Sequence, residues 1–551
     1  MQKFESFVYS LLMEKRKKKL VLLLTLLAFV LAVLMFPTKI VLAKMLPGKS
    51  TNTFSIYVDL PSGSSYQETD RVNACVVAIL QKEKEIQNIE VFNGMGSPLD
   101  YAGLVKGSGL KSGEQSSEIV VNLSGIHQRD ERSFAMVHRL RPFIQKQCEI
   151  LIPKTSIKMV EQPAGPPTMA AVVVELYGEN SEPLNALAGR IKEILAQTKD
   201  LVDVDILSEE VYEKYALVLD KEKVNRSHLT IAQINELLYL AFEGSHIAHK
   251  NSENSPEQIP LYVVLSAPSK SLPHASKEEL GAKLSELKLL NAQGMMVPLS
   301  ELVRVEKVAS SPTIMSKNLQ KMVSIVAEAD LVSQVYPLLD ARSKIKEVLK
   351  EEFEISRSHL FDLTLKDKKS GDVYELVWDG EMKVTMDTFR DLGAAFIAAL
   401  LLIFLLMVVY YKSFALAGIV LLGSFLSIIG VIIGHWIMDL FSSTTFFLTA
   451  TSLIGFISLM GISSRNALLL IDFAQTLMKQ GTSKKEAIAK ASATRAKPIM
   501  LTAAAIILAS TLLATDPIFG GLGVALIFGT IAAVIVSLIV VPVLMDSTKA
   551  L

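Results

Sequence analysis

The sequence lacks several features that would assign a chemistry directly. It has only two cysteines, Cys75 and Cys148, which excludes a disulfide-scaffolded fold and a cysteine-based zinc domain. It contains no GxxxxGK[ST] motif, so ATP does not power this chain directly, and no catalytic triad or metalloprotease motif is visible. Basic and acidic residues both number 56, which argues against a nucleic-acid binder with a dominant basic field.

Apolar residues, by contrast, are abundant. Half of the 551 residues are hydrophobic, and the mean hydropathy is +0.37. This excludes intrinsic disorder and is too apolar for an ordinary soluble enzyme of several domains. The excess is concentrated in runs that carry no Asp, Glu, Lys or Arg: Leu20–Thr38, Leu392–Tyr411, Ser413–Met438, Leu440–Ser464, Pro498–Thr515 and Pro517–Met545.

These runs predict membrane spans in a one-plus-five arrangement, since a bilayer core needs about 20 apolar residues per helix. The first span is predicted over 20–46 and is interpreted as a retained helix rather than a cleaved signal peptide. The other five are predicted over 388–545, with a cytoplasmic loop at 479–497. A capping-box pattern, Ser483 followed by Glu486, predicts a short helix in that loop, ending near Thr494.

Basic residues predict the orientation. The cluster Lys15–Lys19 and the basic loop 479–497 place both termini, 1–19 and 546–551, in the cytoplasm. Residues from about 47 to 387 then lie outside, in the periplasm of a Gram-negative cell. The predicted location is therefore the bacterial inner membrane, with a large periplasmic region.

That region contains an internal β-α-β-β-α-β repeat, the split βαβ unit. The first unit, 47–162, is predicted from these elements: strand Thr53–Leu60, helix Ser65–Gln81, strands Ile89–Asn93 and Glu118–Leu123, helix Glu131–Gln147 and strand Ser156–Glu161. The stiff spacer Gln162–Pro167 ends it. The alternative is one irregular α+β domain.

The second unit is predicted in two parts, 163–210 and 313–387. Its elements are strand Ala171–Tyr177, helix Glu182–Gln197, strand Val202–Leu207, then strand Met322–Ala329, helix Val335–Leu349 and strand Leu360–Leu365. An insertion, 211–312, separates the parts. The insertion is predicted to contain strand Tyr215–Asp220, helix Ile231–Phe242 and a hairpin near His246–Leu265.

One charged residue stands inside a predicted span. If the fourth span begins near Thr444, Arg465 lies about two-thirds of the way along it. A cation at the centre of a membrane helix costs about 2.5–3.5 kcal/mol on insertion scales and normally faces a protein interior with a partner. The alternative is snorkelling to the interface, with Asp472 seven residues further on.

No other span supplies an anion for Arg465. Their apolar runs contain no Asp or Glu, and His435, the other ionisable residue there, cannot offset a positive charge. A buried cation without a buried anion predicts that another polypeptide completes the site.

Candidate metal ligands are sparse, and no cofactor is predicted. His246 and His249 lack a third ligand and are interpreted as surface residues. Core packing is the commoner role for the methionines in or beside the first unit, although thioethers also bind Cu(I); these are Met95, Met136, Met159 and Met169. Whether Cys75 and Cys148 pair is left open by the sequence.

Several stretches resemble the C-terminal half of an efflux permease of the resistance-nodulation-division (RND) superfamily, acriflavine-resistance type. They are Met45-Leu46-Pro47 with the later Leu60–Ser64, then Gly461–Phe473 (GISSRNALLLIDF), Arg495–Thr502 (RAKPIMLT) and Val541–Leu544 (VPVL). The resemblance covers nearly the whole chain. It implies that the two split units are porter subdomains and that the insertion is a docking subdomain.

The resemblance also implies a proton-driven trimer that works with a periplasmic adaptor protein and an outer-membrane channel. Residues carried over to its proton relay are Arg465, Asn466, Thr502 and Arg495. The aspartate pair that takes the proton belongs to the N-terminal half of a family permease, which has about twice this length and twelve spans. The chain is therefore expected to pair with such a half.

The family's substrate-switching loop corresponds to Phe92, Asn93, Gly94, Met95 and Gly96. Its apolar members favour amphiphilic organic compounds as cargo. Two alternatives are a half-permease of the heavy-metal type and a non-transporting membrane scaffold or truncated remnant.

Overall fold

The computed structural model describes residues 2–98, 101–108, 111–162, 165–209, 211–270, 272, 276–359, 361–442 and 444–551. Parts of three predicted segments lie outside the described residues: Pro163 and Ala164 of the spacer, Leu360 at the start of a predicted strand, and Ser443 in an apolar run.

Two helices open the chain and are separated at one residue. Helix α1 spans Gln2–Met13 and α2 spans Lys15–Leu34. Between them Glu14 is extended, with φ −94° and ψ 113°, so α1 does not continue the axis of α2. The predicted first span, 20–46, is wrong at its end, because the helix stops at Leu34. Beyond it, Ala43 pairs with Leu448 in an isolated parallel bridge.

A four-stranded antiparallel sheet follows. Its elements are β1 (Thr53–Asp59), α3 (Tyr66–Leu80), β2 (Ile86–Met95), α4 (Tyr101–Lys106), β3 (Ser112–Leu123), α5 (Ser133–Cys148) and β4 (Ser156–Glu161). The strand order is β2-β3-β1-β4. Apart from the added α4, this is the β-α-β-β-α-β sequence that periodicity predicts for 47–162.

Local rules explain why α3 forms and which face it buries. Ser65 and Glu68 make both bonds of a capping box, which satisfies free N–H groups at the helix start. Val72, Val76 and Ile79 recur at helical spacing and pack on the inner face of the sheet. A disulfide joins Cys75 of α3 to Cys148 of α5, with 5.8 Å between their Cα atoms.

The next segment begins the second sheet with β5 (Val172–Tyr177), α6 (Ser181–Ala196) and β6 (Leu201–Leu207). Residues 209–313 then form a compact unit of their own. Its elements are β7 (Glu213–Leu219), α7 (Lys221–Arg226), α8 (Ile231–Leu238), β8 (Ser245–Lys250), β9 (Ile259–Val263), α9 (Ala267–Lys270), α10 (Lys277–Glu286), β10 (Lys288–Leu290), β11 (Met296–Pro298), α11 (Leu299–Leu302) and β12 (Val303–Ala309).

The second sheet is completed after the insertion. Its later elements are β13 (Ser316–Lys317), β14 (Gln320–Ala329), α12 (Val335–Leu349), β15 (Phe353–Arg357), β16 (Leu363–Asp367) and β17 (Val373–Asp379). The strand order is β13-β14-β5-β17-β16-β15, with β6 also on β14.

The prediction that Leu360–Leu365 closes this unit is wrong. The strand beside β5 is β17, and the shorter strands β15 and β16 lie outside it. Strand β17 alternates inward apolar residues with exposed ones, including buried Leu376 and Trp378, so its pattern is that of a half-buried strand.

The described residues after β17 form seven helices of the membrane region: α13 (Glu381–Tyr411), α14 (Phe414–Phe425), α15 (Ile428–Phe441), α16 (Ala450–Lys479), α17 (Lys484–Ala514), α18 (Gly520–Ile535) and α19 (Val541–Ser547). Helices α14 and α15 are nearly continuous, and a π-helical turn joins α18 to α19. They give five segments of the described chain that are long and apolar enough to cross a bilayer.

The predicted sixth span, on α2, is not among those five segments. Helix α2 has 20 residues, but the first five are the basic cluster Lys15–Lys19. The apolar part of the helix is therefore shorter than one bilayer core. A count of six remains a prediction.

Two other boundaries differ from the sequence prediction. Helix α16 begins at Ala450 rather than near Thr444, because Thr449 forms a capping box with Ser452. Within the predicted loop 479–497 a helix begins at Lys484, where the sequence pattern predicts one, but it continues through Pro498 to Ala514 instead of ending near Thr494. The predicted Ser483 capping box is also wrong: Ser483 makes no cap bond to the backbone.

The disulfide should stabilise the first sheet unit. Replacing Cys75 and Cys148 together by alanine should lower its free energy of unfolding by about 2–4 kcal/mol, because the closed loop no longer restricts the unfolded chain. Thermal unfolding of the purified protein measures the change, and treatment of the unmodified protein with a reductant should reproduce it. Two free thiols in the oxidised protein by mass spectrometry would contradict the pairing.

Candidate functional site

Helix α16 has a closed face and an open face. Its closed face packs into the helix bundle through buried residues such as Leu459, Leu470 and Ile471. The open face carries Arg465, which is exposed. Arg465 is the sixteenth of the thirty residues of α16, so it lies at mid-length. The predicted two-thirds position assumes a start near Thr444, which is earlier than the observed start at Ala450.

Arg465 has no partner in the part of the chain that the structure describes: it makes no hydrogen bond or ion pair there. The snorkelling alternative pairs it with Asp472, but the Asp472 carboxylate accepts a hydrogen bond from the Tyr410 hydroxyl at 3.0 Å. An arginine at mid-length of an apolar helix, on the open face, needs a counter-charge from elsewhere.

Asn466, the next predicted relay residue, lies on the closed face and is 7% exposed. Consecutive helix residues are rotated by about 100°, so Asn466 and Arg465 do not share a face. The structure therefore separates these two predicted residues. Nearby Ser463 is also buried, and its hydroxyl has no partner among the described residues.

Arg495, on α17, is held away from Arg465. Its guanidinium lies over the Phe473 ring, 4.9 Å from the ring centroid, which is a cation–π contact. Phe473 is eight residues beyond Arg465 on α16, a rise of about 12 Å. Arg495 thus lies near the end of the helix rather than beside the central cation.

Thr502 is exposed on α17, one turn beyond Pro498. Its hydroxyl donates to the carbonyl oxygens of Pro498 at 3.1 Å and Ile499 at 3.0 Å. These bonds engage the hydroxyl with its own helix. Its oxygen retains capacity to accept a further hydrogen bond.

Both ring nitrogens of His435 have hydrogen-bond partners within the bundle. One ring nitrogen, Nδ1, lies 2.7 Å from the Val431 carbonyl oxygen, so it carries the proton and donates. The other, Nε2, is 2.8 Å from the Ser452 hydroxyl, which donates to it. His435 therefore links α15 to the capped start of α16.

The predicted substrate loop is a strand end. Phe92, Asn93 and Met95 lie on β2 and pair with β3, with an irregularity between Asn93 and Met95. Gly94 occupies that irregularity with φ +77°, a backbone conformation that glycine adopts without strain. Met95 is exposed, whereas both polar side-chain atoms of Asn93 are buried without a partner among the described residues.

The remaining metal candidates do not converge. The rings of His246 and His249 lie 5.9 Å apart on exposed β8. Met136 and Met159 are buried in the first sheet core, which is the packing role predicted for them. No group of three or more His, Cys, Asp or Glu suited to a metal occurs among the described residues.

Sequence reasoning did not find the ion-pair seam between the two sheets. Arg141 of α5 contacts Asp203 of β6 at 3.2 Å and Asp330 at 3.0 Å. Lys158 of β4 pairs with Asp205 of β6 and with Asp59. Such pairs join residues that are far apart in the sequence, so no local sequence pattern predicts them.

Opposite charges in the seam offset part of the cost of burying each other. Burial tends to raise the pKa of Asp59, but Lys111 and Lys158 outweigh it and hold the pKa below its usual value. For Asp203, burial dominates over Arg141 and raises the pKa. The seam therefore depends on both partners, since removing one leaves a buried charge uncompensated.

Glu161, at the end of β4, is a buried carboxylate close to the seam. Burial raises its pKa to about 7, although Arg141 and Lys44 oppose the shift. Glu328 and Asp330 of the facing sheet raise it further by repulsion. Its protonation changes within the ordinary pH range.

A model of the AcrB/AcrD/AcrF family matches residues 1–546. Similar curated proteins include the multidrug/solvent efflux pump membrane transporter MepB of Pseudomonas putida, 23% identical over 511 residues, which are 92% of this chain and 44% of the relative. The multidrug export protein AcrF of Escherichia coli is 21% identical over 511 residues, 91% of this chain and 45% of the relative.

Swarming motility protein SwrC of Bacillus subtilis is 25% identical over 382 residues, 67% of this chain and 32% of the relative. The chain thus spans less than half the length of these relatives. Two crystal forms of a heavy metal efflux pump have the same fold, with TM-scores of 0.71 and 0.72 at 17% identity. The match covers 98% of this chain and 52% and 51% of the pump chain.

Apolar helices together with two antiparallel sheets make this a multi-pass membrane protein with a large α+β region. The family match then identifies the chain as a member of the AcrB/AcrD/AcrF family, within the RND superfamily. The resemblance drawn from GISSRNALLLIDF and the other stretches is confirmed.

Glu161 should give the folded protein a pH dependence. Its pKa is raised from 4.5 to about 7, so its favourable contribution is complete below pH 4.5 and is lost as pH rises through 7. Glu161→Gln keeps the side chain neutral. It should stabilise the protein by about 1–2 kcal/mol at pH 8 and change little at pH 4.5.

Thermal unfolding of the two proteins at both pH values measures this difference. The exposed Glu354 offers a matched control, since Glu354→Gln removes the same charge outside the seam. An Glu161→Gln effect of equal size at both pH values would contradict the assignment.

Proposed function

We propose that this chain is the C-terminal half of a proton-driven RND efflux permease. The observation that carries the proposal is Arg465, a cation at mid-length of α16 on the open face of the bundle and without a partner in the described chain. Membership of the AcrB/AcrD/AcrF family and the half-length match to its relatives support the same assignment.

The N-terminal half would provide the missing anion. An aspartate pair facing α16 would form ion pairs with Arg465 in its charged state. Protonation of an aspartate removes that attraction, so the helices can change their contact. Thr502, whose hydroxyl oxygen can still accept a hydrogen bond, would line the same path. Asn466 faces the bundle and Arg495 lies over Phe473 toward the end of α16, so we assign neither of them a direct contact with Arg465.

We propose six spans with both termini in the cytoplasm. Helix α2 and the residues that follow it supply the sixth. The uncharged run Leu20–Thr38 is 19 residues long, close to the length that a bilayer core needs, and the basic end of α2 can reach the headgroups. The basic residues near 15–19 and 479–497 set this orientation. The α+β region then lies in the periplasm, and the protein in the inner membrane.

The two sheet units would act as porter subdomains, and residues 209–313 as the docking subdomain. Ion pairs such as Arg141–Asp203 join the two sheet units to each other, whereas residues 209–313 form a compact unit of their own. Both observations support this division. The working assembly would be a trimer with a periplasmic adaptor protein and an outer-membrane channel. Cargo would pass from the periplasm or membrane toward that channel.

Amphiphilic organic compounds are the proposed cargo. Phe92 and Met95 on the irregular end of β2 offer apolar contacts, and relatives such as MepB are named as multidrug or solvent pumps. A metal cargo would require thioether or imidazole ligands that converge, whereas Met136 and Met159 are enclosed in the core. The heavy metal efflux pump shares the fold alone.

Replacing Arg465 tests the proposal. In the assembled pump, reconstituted with its N-terminal half in liposomes, Arg465→Ala should reduce proton-coupled transport at least about tenfold, because the aspartates lose their counter-charge. Arg465→Lys should retain part of the activity. Lys479→Ala, at the end of the same helix, removes an equal charge outside the relay and should leave transport intact.

Size-exclusion chromatography and the thermal midpoint must show that each variant assembles and folds. Unchanged proton-coupled transport by a folded Arg465→Ala assembly would overturn the proposal. Absence of proton-coupled transport by the unmodified, folded assembly would instead favour the alternative of a membrane scaffold or non-transporting remnant, which needs no central cation.

A further inference from the structure

Helix α1 lies along the first half of α17. Phe4 packs beside Ala496 and Ile499, and at the other end the Lys485 Nζ lies 3.9 Å from the Met13 sulfur. The two helices therefore run antiparallel over residues 2–13 and 484–497. We call residues 2–19 and 484–497 the basic platform.

The platform is strongly positive although the whole chain is neutral. It contains eleven lysines and arginines against three carboxylates, Glu5, Glu14 and Glu486. A folded surface with this imbalance attracts anions.

Some cations of the platform are already paired. Lys18 contacts Asp546 at 2.6 Å, Lys17 contacts Glu14 at 2.6 Å, and Lys484 donates to backbone carbonyl groups at the chain end. The outer ones are exposed and have neither an ion pair nor a hydrogen bond within the described residues. These are Lys3, Lys15, Arg16, Lys19, Lys490 and Lys497.

Apolar side chains accompany these outer cations. Phe7, Tyr9 and Met13 of α1 are exposed on a helix whose other face, with Val8 and Leu12, is buried against the bundle. On α17, Lys497 is followed at once by an apolar stretch with exposed Met500 and Leu501. The platform thus lies where charged surface changes to lipid-facing surface, at the depth of the headgroups.

We propose that the basic platform binds anionic phospholipid headgroups. Lysines that only orient the chain during insertion need no folded arrangement, whereas here α1 is docked so that its aromatic residues and the outer cations share one boundary. Charge complementarity selects anionic over zwitterionic lipid. The inference requires that the helices lie in a bilayer and does not depend on the proposed transport.

The test compares two triple variants of the full chain in its purified assembly. Lys3, Lys490 and Lys497 are changed to glutamine in the first, which leaves the cluster at 15–19 to set orientation. Lys214, Lys221 and Lys223, exposed in the separate unit 209–313, are changed in the matched control. Each protein is placed in nanodiscs of equal phosphatidylglycerol and phosphatidylcholine, and the retained lipids are counted by native mass spectrometry.

The unmodified protein and the control should retain phosphatidylglycerol in preference to phosphatidylcholine. The enrichment in phosphatidylglycerol should be about tenfold smaller in the platform variant. Salt near 0.5 M should weaken the enrichment in the unmodified protein, the control and the platform variant. Equal thermal midpoints in pure phosphatidylcholine discs show that the variant is folded.

Equal enrichment in the platform variant and the control would overturn the proposal. Displacement of the lipid by millimolar inorganic phosphate would also overturn it, because the platform would then be a site for a free anion. Loss of transport on Arg465→Ala with intact lipid enrichment would leave this inference standing, so the two proposals fail separately.

Discussion

A charged guanidinium at the middle of an apolar helix constrains the whole membrane region. Arg465 would cost about 2.5–3.5 kcal/mol if it faced lipid, and the chain supplies no carboxylate to offset it among the described residues. Helix α16 is otherwise well packed, with Asn466 and its neighbours turned into the bundle. In the proposed permease, another part of the assembly would cover the open face and keep it away from lipid.

The bundle is linked to the α+β region by backbone hydrogen bonds. Strand β17 leads directly into α13 through Gly380, whose φ of +81° and close approach to the Ala170 carbonyl leave no room for a side chain. The Glu381 amide donates to that same carbonyl oxygen at 3.1 Å. A shift of α13 would thus move the second sheet, and the Arg141 and Lys158 ion pairs would carry the motion to the first.

Periodicity predicts most of this architecture because the relevant patterns are local. The alternation in β1 and the spacing of Val72, Val76 and Ile79 depend on neighbours within one element, so the first unit is found strand by strand. The apolar runs likewise predict the positions of helices α13 to α19. The position of Arg465 within a span is visible for the same reason.

The remaining features depend on contacts between distant residues. Strand β17, rather than the segment near Leu363, lies beside β5, because strand order is decided by packing and not by alternation. Helix α17 continues through Pro498 because neighbouring helices support it, although proline usually marks a helix start. Tyr410 as the partner of Asp472, and the seam around Arg141, have no signal in a single sequence.

The most direct measurement is a structure of the assembled protein, purified from its native cells in nanodiscs, that resolves the surroundings of Arg465. We expect a carboxylate from the N-terminal half within about 4 Å of the guanidinium in at least one conformation of the cycle. An assembly in which Arg465 faces lipid or headgroups in every conformation, with no carboxylate nearby, would contradict the proposed proton relay.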